Sequence, residues 1–249
     1  IMPNKRPSDN VKLDPNFPQE EEFALSNMTE LAFYHFFYFP SMTNDLYEST
    51  VRLNDEVKRE RFRNVYHKLL LKAQRNTGNG RLVIKNPVNT GRLRFYAEVY
   101  PGAKFINIHR NPFIVFLSTK KFFKELFPTL WFESITDEQL DEMILDLYIR
   151  FNSDYLQQAE NFDQKRLYEI SFSDFEQDPI LHLEEIYKYL DIEGFERAKP
   201  YFDRYLESLG KYRKNRYTIS RKLADRIESQ WSPIYRQWGY DFPDNLEII

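Results

Sequence analysis

The stretch KFINIHRNPFIVFLSTKKFF, residues 104–123, decides the fold class. Residues 105–109 form a short apolar run that predicts a buried strand, and a helical pattern begins at Pro112, because proline suits the first turn of a helix. A charged residue, Arg110, therefore stands at the carboxyl end of a core strand, and Ser118 follows eight residues later in the helix. This placement suggests a ligand.

The rest of the chain repeats the alternation of strand and helix. Two more short apolar runs, residues 81–85 and 166–170, predict strands. Helices are predicted around them at residues 53–76, 90–100, from 112 onward, 137–160, 180–190, 194–209 and 219–230. Strands that are near-continuous apolar runs and are separated by helices indicate an α/β fold with a central parallel sheet flanked by helices.

Composition limits the classes of function. The 249 residues are 42% hydrophobic and 29% charged, which suits one globular domain over 1–249. The net charge of −3 predicts no nucleic-acid partner, and no apolar run is long enough to predict a membrane span. The lack of cysteine excludes disulfides and favours a cytoplasmic location, and the four scattered histidines predict no metal site. The sequence does not indicate an oligomeric state.

Two strand ends carry cations that point to an anionic ligand. In an open α/β sheet, ligands bind beyond the carboxyl ends of the strands, where helix N-termini also lie. An arginine, a serine hydroxyl and a helix N-terminus suit a phosphate, which predicts that Arg110 and Ser118 bind one. Lys85 ends the preceding strand, and Thr90 and Arg92 open the helix after it, with Thr90 predicted as its cap and as a hydroxyl donor. We expect these groups to converge with Arg110 and Ser118 on one anionic ligand. The alternative is that these side chains are solvated or bind surface carboxylates.

The ordered motifs resemble a known family. The segments LVIK, FINIHRNPFIVFLSTKKF and RLYEISFSDFEQDPILHLEEIYKYLDI are similar to the core of sulfotransferases that use 3′-phosphoadenosine-5′-phosphosulfate (PAPS), and the likeness covers roughly residues 5–245. The resemblance implies a fold like that of P-loop nucleotide kinases. It also implies that Arg110 and Ser118 bind the 3′-phosphate and that Lys85 contacts the transferring sulfuryl group, so that the expected anionic ligand is the nucleotide. The opening residues and NPVNTGR are more similar to the bacterial and lipid-directed branch.

Two departures from the family pattern carry expectations. The Gly-rich loop that binds the 5′-phosphosulfate is absent from the sequence. Because the chain begins Ile1-Met2-Pro3, we expect the single domain to lack its N-terminal strand and this loop, and the activity of this piece alone is open. The histidine that is catalytic in cytosolic members is replaced by Pro87, so a general base must come from another residue.

The candidate bases lie near the start of the chain. Other branches of the family use a glutamate soon after the missing loop, and PQEEEF occupies that place here. We predict Glu22 first and Glu20 second, with His35 as a further candidate. Adjacent carboxylates raise one another's proton affinity when they are crowded, which suits a base. A run of acids at a helix start also has an ordinary explanation in the helix dipole, and a histidine among aromatic residues is often part of a core.

A basic segment and two aromatic segments complete the predictions. The resemblance implies that a basic loop near the C-terminus contacts the 3′-phosphate, and this loop contains Lys211, Arg213, Lys214 and Arg216. The aromatic residues at 33–38 and 122–132 predict either core packing or a pocket for a sterol, lipid or other apolar alcohol. The activity implied is transfer of a sulfuryl group from PAPS to a small-molecule or lipid hydroxyl, with no metal.

Three alternatives remain open on the sequence. A carbohydrate acceptor would also use aromatic platforms. A P-loop kinase relative would need a Walker loop and a magnesium carboxylate, and no Walker loop occurs in this sequence. A non-catalytic module that only binds the nucleotide would keep the phosphate contacts without transfer.

Overall fold

The computed structural model describes residue 14 and residues 17–209, 217–244 and 246–249, and within them the chain divides into two compact units. The first unit is Ile1–Phe95 with Ser118–Tyr155, and the second is Tyr96–Leu117 with Leu156–Ile249. The chain passes from one unit to the other within three helices: α4 (Leu93–Val99), α5 (Pro112–Leu126) and α6 (Asp137–Ala159). The prediction of a single domain stays a prediction.

The first unit is helical in its described part. Besides parts of α4, α5 and α6, it contains α1 (Glu21–Ser26), α2 (Thr43–Leu46), α3 (Glu56–Asn76), a π-helical turn (Tyr47–Arg52) and 3₁₀ turns at Phe33–Phe37, Pro40–Met42, Pro87–Arg92 and Phe127–Thr129. The α3 helix lies within the predicted range because Asp55 caps it: the Asp55 side chain accepts a hydrogen bond from the Lys58 N–H at 2.9 Å. A turn at Thr77–Gly78, where glycine has a φ of +76°, ends it.

Aromatic side chains form the core of the first unit. The two predicted aromatic segments meet each other: Phe37 lies 5.0 Å from Phe127, and Phe123 stacks on Phe127 at 4.1 Å between ring centroids. These three rings are buried, so they serve core packing rather than an open pocket. Phe132, at the end of the second segment, is exposed and stacks on Phe39, an exposed residue just after the first segment.

The second unit contains the parallel strands. Strand β1 (Phe105–His109) pairs in parallel with β2 (Leu167–Ser171), and β3 (Tyr217–Ile219) pairs in parallel with β4 (Leu246–Ile248). The helices of this unit are α7 (Phe172–Gln177), α8 (Pro179–Tyr189), α9 (Phe195–Leu209) and α10 (Arg221–Gln237), and Gln164–Arg166 is a 3₁₀ turn. The α/β class with parallel strands is therefore confirmed.

Capping residues set the starts of the helices that follow the strands. Asn111 accepts a hydrogen bond from the Phe113 N–H at 3.1 Å, and Pro112 is the first residue of α5, as the sequence predicts. Ser171 caps α7 and Ser220 caps α10 in the same way. Phe116 of α5 packs against Trp231 of α10, and both side chains are fully buried.

One predicted strand is wrong. Residues 81–85 form no strand within the described chain, and the Val83 side chain is 92% exposed. A β-branched apolar run becomes a strand only when its backbone pairs with a neighbour, and no described residue pairs with this one. One face of β1 is also open among the described residues, since Ile106 and Ile108 are about half exposed.

Candidate functional site

The first unit brings together two of the predicted catalytic residues, Glu20 and Lys85, which are 65 positions apart in the chain. Glu20 directly precedes α1 in an extended conformation, and its Oε1 pairs with the Lys85 Nζ. The Lys85 side chain is 79% exposed and that of Glu20 is 20% exposed. The pair thus lies at the surface of the unit, where both a cation and a carboxylate are accessible to small molecules.

Tyr34 joins this pair as a third member, and no motif marks it as a site residue. Its hydroxyl donates a hydrogen bond to Oε2 of Glu20, the oxygen that Lys85 does not take. Burial, followed by the charge of Glu20, raises the pKa of Tyr34, so the phenol stays protonated and acts as a donor. In the sequence Tyr34 is one of several aromatic residues at 33–38, and only the tertiary contact with Glu20 gives its hydroxyl a role.

Glu22, the first-ranked candidate base, has a different environment. It is fully buried and pairs with the fully buried Arg92, at 2.8 Å from Nη1 and 3.1 Å from Nη2. It also accepts a hydrogen bond from the Phe33 N–H at 2.6 Å and one from the Asn86 side chain at 3.2 Å. A carboxylate with four donors and no exposure cannot meet an acceptor hydroxyl without unfolding this network, so the geometry favours Glu20 over Glu22.

Arg92 is engaged on all sides within the protein. Its Nε donates to the Thr50 carbonyl at 2.8 Å, and its guanidinium lies 4.7 Å from the centre of the Phe62 ring. The predicted contact of Arg92 with a nucleotide would need this buried group to leave its partners. Its neighbour Gly91 provides space for packing rather than for a ligand, because a Cβ there would meet the Val51 Cγ1 at 2.5 Å.

The segment Asn86–Arg92 contacts the acidic residues 20–22 through several of its side chains. The Asn89 side chain donates to Oε1 of Glu21 at 2.8 Å, and the Tyr66 hydroxyl donates to the same oxygen at 3.1 Å. The three adjacent carboxylates therefore have different partners: Glu20 pairs with Lys85, Glu21 with Asn89 and Tyr66, and Glu22 with Arg92. Asn86, not Thr90, caps the turn after Lys85, because its side chain accepts from the Val88 N–H at 3.0 Å; Thr90 lies half-buried inside the turn.

His35 occupies the same 3₁₀ turn as Tyr34. It is half-buried, and its Nε2 lies 3.0 Å from the Thr29 carbonyl oxygen. Since a carbonyl oxygen only accepts, this nitrogen carries the proton, and the ring ties the turn to the residues before it. A structural role explains this arrangement.

In the second unit, Arg110 follows β1 directly, as predicted, and its guanidinium lies 4.6 Å from the centre of the Phe172 ring. Ser118 lies two turns into α5, in the part of that helix that belongs to the first unit, and it is half-buried. The strand end before Arg110 is anchored by the C-terminal segment: His109 stacks on Trp238 at 4.4 Å, and its Nδ1 lies 2.7 Å from the Tyr240 hydroxyl. Burial lowers the pKa of His109 and raises the pKa of Tyr240 to about 12.

Other predicted features fall outside these two groups. The four basic residues Lys211, Arg213, Lys214 and Arg216 lie outside the described residues. Within the described part of the chain, no group of three or more His, Cys, Asp or Glu side chains is arranged to hold a metal ion. Among the described residues, no helix has the length and apolar character needed to cross a membrane.

Comparison with known proteins identifies the family. A model described as the sulfotransferase family matches residues 8–197. The chain belongs to this family. Two curated relatives, each named omega-hydroxy-beta-dihydromenaquinone-9 sulfotransferase Stf3, from Mycobacterium bovis and Mycobacterium tuberculosis, are 27% identical over 244 residues. The match covers 97% of this chain and 62% of each relative, so the chain spans about three fifths of their length.

The fold agrees with that of a solved sulfotransferase. The crystal structure of sulfotransferase STF9 from Mycobacterium avium superposes with a TM-score of 0.68 at 16% sequence identity, covering 92% of this chain and 58% of that one. At this identity the likeness establishes the fold alone. The sulfotransferase fold predicted from the sequence is thus confirmed, as is the resemblance to a bacterial, lipid-directed branch of the family.

Proposed function

We propose that this chain carries the acceptor-activating part of a sulfotransferase that moves a sulfuryl group from PAPS to the hydroxyl of an apolar alcohol. One observation carries the proposal: Glu20 and Lys85, selected from separate motifs, meet at an accessible ion pair. A carboxylate and a lysine side by side supply the two functions that sulfuryl transfer needs, a base for the acceptor and a cation for the transferring group.

Glu20 is the general base in this proposal. Transfer forms a bond between the acceptor oxygen and sulfur and breaks the bond between sulfur and the leaving phosphate oxygen, while the acceptor loses its proton. Glu20 is partly exposed and its carboxylate lies beside Lys85, where it can take that proton. A positioned base contributes roughly 10²–10⁴-fold to the rate.

Lys85 stabilises negative charge on the transferring group and the leaving oxygen. Its ammonium is compact, and most of its side chain is exposed, so it can turn from Glu20 toward a bound sulfuryl group. A cation aimed at developing charge is worth about 10²–10³-fold in kcat. Neither step needs a metal, and a covalent intermediate is not required.

Arg110 and Ser118 are proposed to bind the 3′-phosphate of the nucleotide. Arg110 sits at the carboxyl end of a strand, next to the start of the 15-residue helix α5, and the positive end of a helix dipole favours an anion. Thr90 and the basic residues of 211–216 remain predicted nucleotide contacts. Arg92 drops out of the proposed contacts, because it is buried against Glu22.

An apolar acceptor is favoured over a carbohydrate. Phe23 is exposed and packs edge-on against Tyr34 at 4.9 Å, so an apolar surface adjoins the proposed base. The curated relatives are named for a hydroxylated menaquinone derivative, which is also a lipid-like alcohol. A cytoplasmic location stays a prediction that rests on the absence of cysteine.

Transfer of labelled sulfate by the full-length protein tests the catalytic roles. We expect Glu20→Gln to lower kcat by about 10²–10⁴-fold and Lys85→Met by about 10²–10³-fold. The exposed ion pair of Lys124 and Asp137 provides matched controls, and Lys124→Met and Asp137→Asn should leave kcat within about a factor of two. A Lys85→Met enzyme with wild-type kcat would refute the assignment.

Calorimetric titration with adenosine 3′,5′-bisphosphate tests the nucleotide site, with adenosine 5′-monophosphate as the comparison ligand. The wild type should prefer the bisphosphate, and Arg110→Gln and Ser118→Ala should each reduce that preference. Arg221→Gln, at an exposed arginine of α10, is the control. Equal affinity of all variants for both ligands would remove the nucleotide site from the proposal, and binding without transfer to any acceptor would favour a non-catalytic module.

A further inference from the structure

The second carboxylate oxygen of Glu20 is held by a group that the proposed reaction does not yet use. Lys85 takes Oε1, and the Tyr34 hydroxyl donates to Oε2. A carboxylate that is bound at one oxygen only can rotate about its last side-chain bond, which is a soft torsion. A second donor at a fixed position removes that freedom.

The Tyr34 ring is itself fixed by its surroundings. The residue is buried, its ring stacks on Phe37 at 4.5 Å with an interplanar angle of 21°, and Phe23 packs against it. Because two ring contacts restrict this buried ring, the Tyr34 hydroxyl oxygen is held in one position. A hydrogen bond from a neutral donor to an ionised carboxylate is also stronger than one between neutral groups.

The turn that carries Tyr34 is held independently of this hydrogen bond. The backbone N–H of Phe33 donates to Glu22 at 2.6 Å, and His35 bonds to the Thr29 carbonyl. Loss of the Tyr34 hydroxyl would therefore leave the turn in place and release only the carboxylate of Glu20. This separation makes the role of the hydroxyl testable by one substitution.

We propose that Tyr34 is a positioning residue for the general base: its hydroxyl holds Oε2 of Glu20, so that Oε1 is presented to the acceptor when Lys85 turns toward the sulfuryl group. The inference rests on the proposed function, since it assumes that Glu20 is the base. Tyr34 touches neither donor nor acceptor in this scheme and acts only through Glu20.

The first test is Tyr34→Phe in the full-length enzyme, assayed for sulfate transfer to an apolar alcohol. We expect kcat to fall about 10–100-fold, because small misplacements of a catalytic group cost that much, while KM for PAPS stays within about a factor of two. The matched control is Tyr66→Phe. Tyr66 is also buried and donates to the neighbouring Glu21, so its loss should leave kcat nearly unchanged.

A double-mutant cycle between Tyr34→Phe and Glu20→Gln separates positioning from general damage. If Tyr34 acts through Glu20, the double variant is no slower than Glu20→Gln alone, and the two losses in melting temperature are likewise less than additive. Additive losses in both kcat and melting temperature would overturn the role of Tyr34 while leaving the proposed function intact.

The melting-temperature cycle keeps the inference testable without activity. A wild-type protein that transfers no sulfate to any acceptor overturns the proposed function, and with it the catalytic purpose of the pair. Non-additive melting temperatures in that case would still support the coupling of Tyr34 to Glu20. A Tyr34→Phe enzyme with wild-type kcat would overturn the positioning role whatever the melting temperatures.

Discussion

Arg92→Met removes one half of a fully buried ion pair and is expected to destabilise the protein strongly. The guanidinium donates to two Glu22 oxygens at 2.8 and 3.1 Å, and neither side chain is exposed. The substitution leaves the Glu22 carboxylate buried without its counter-charge. Loss of one partner from a buried pair costs about 3–5 kcal/mol, most of it the uncompensated charge.

Urea denaturation measures this cost. With an m value of roughly 2–3 kcal/mol/M for a chain of this size, the loss moves the midpoint down by about 1–2.5 M. Arg61→Met is the control, since Arg61 pairs with Glu30 at the surface, where both side chains are more than half exposed. We expect that control to cost less than about 1 kcal/mol.

A second variant tests the reason for the loss. In Glu22→Gln/Arg92→Met no charge is left buried, and glutamine still offers an acceptor to the Phe33 N–H. This double variant should be more stable than Arg92→Met alone. The reasoning is refuted if Arg92→Met costs no more than Arg61→Met, because the pair would then have no structural importance and Arg92 would return as a candidate for nucleotide binding.

Three further predictions concern the cores of the two units. Gly91→Ala places a Cβ 2.5 Å from a methyl of Val51 and should cost about 1–3 kcal/mol in urea denaturation; an unchanged midpoint would contradict the packing. Tyr47→Phe removes a 2.8 Å hydrogen bond to Asp154 and should cost about 1.5–3 kcal/mol by the same assay, whereas a neutral result would mean that the bond contributes nothing. Burial lowers the pKa of His109 below its usual 6.5, so the unfolded chain binds the proton more tightly than the folded one. The free energy of unfolding should therefore be highest above about pH 6.5 and fall below it, and His109→Gln should make that fall smaller. Parallel curves of unfolding free energy against pH for the wild type and the variant would contradict this prediction.

Local sequence patterns predict the strand and helix around Arg110 correctly. The run 105–109 is a strand and α5 begins at Pro112, because the apolar run, the Asn111 cap and the proline all act within a few residues. Cap and proline signals likewise mark the start of α8, where Asp178 accepts from the Leu181 N–H. These features depend on neighbours in the chain, so the sequence alone was sufficient.

The sequence also selected the two halves of the candidate site but not their arrangement. Motifs predict both Glu20 and Lys85 as site residues, yet no local rule distinguishes Glu20 from Glu22 in a run of three acids. The choice depends on which carboxylate faces the buried Arg92, a contact across 70 positions. Local sequence does not predict the role of Tyr34 for the same reason, since that role depends on the contact of its hydroxyl with Glu20.

Composition and short apolar runs determined the fold class, and tertiary pairing decided the rest. Residues 81–85 have the composition of a strand but pair with nothing in the described chain, because a strand is a property of two segments and not of one. Similarly, the aromatic segments predict a pocket or a core, and the contacts among Phe37, Phe123 and Phe127 show that these rings form a core. Burial and long-range contact are set by the whole chain, which is why only the folded structure assigns each carboxylate and ring its role.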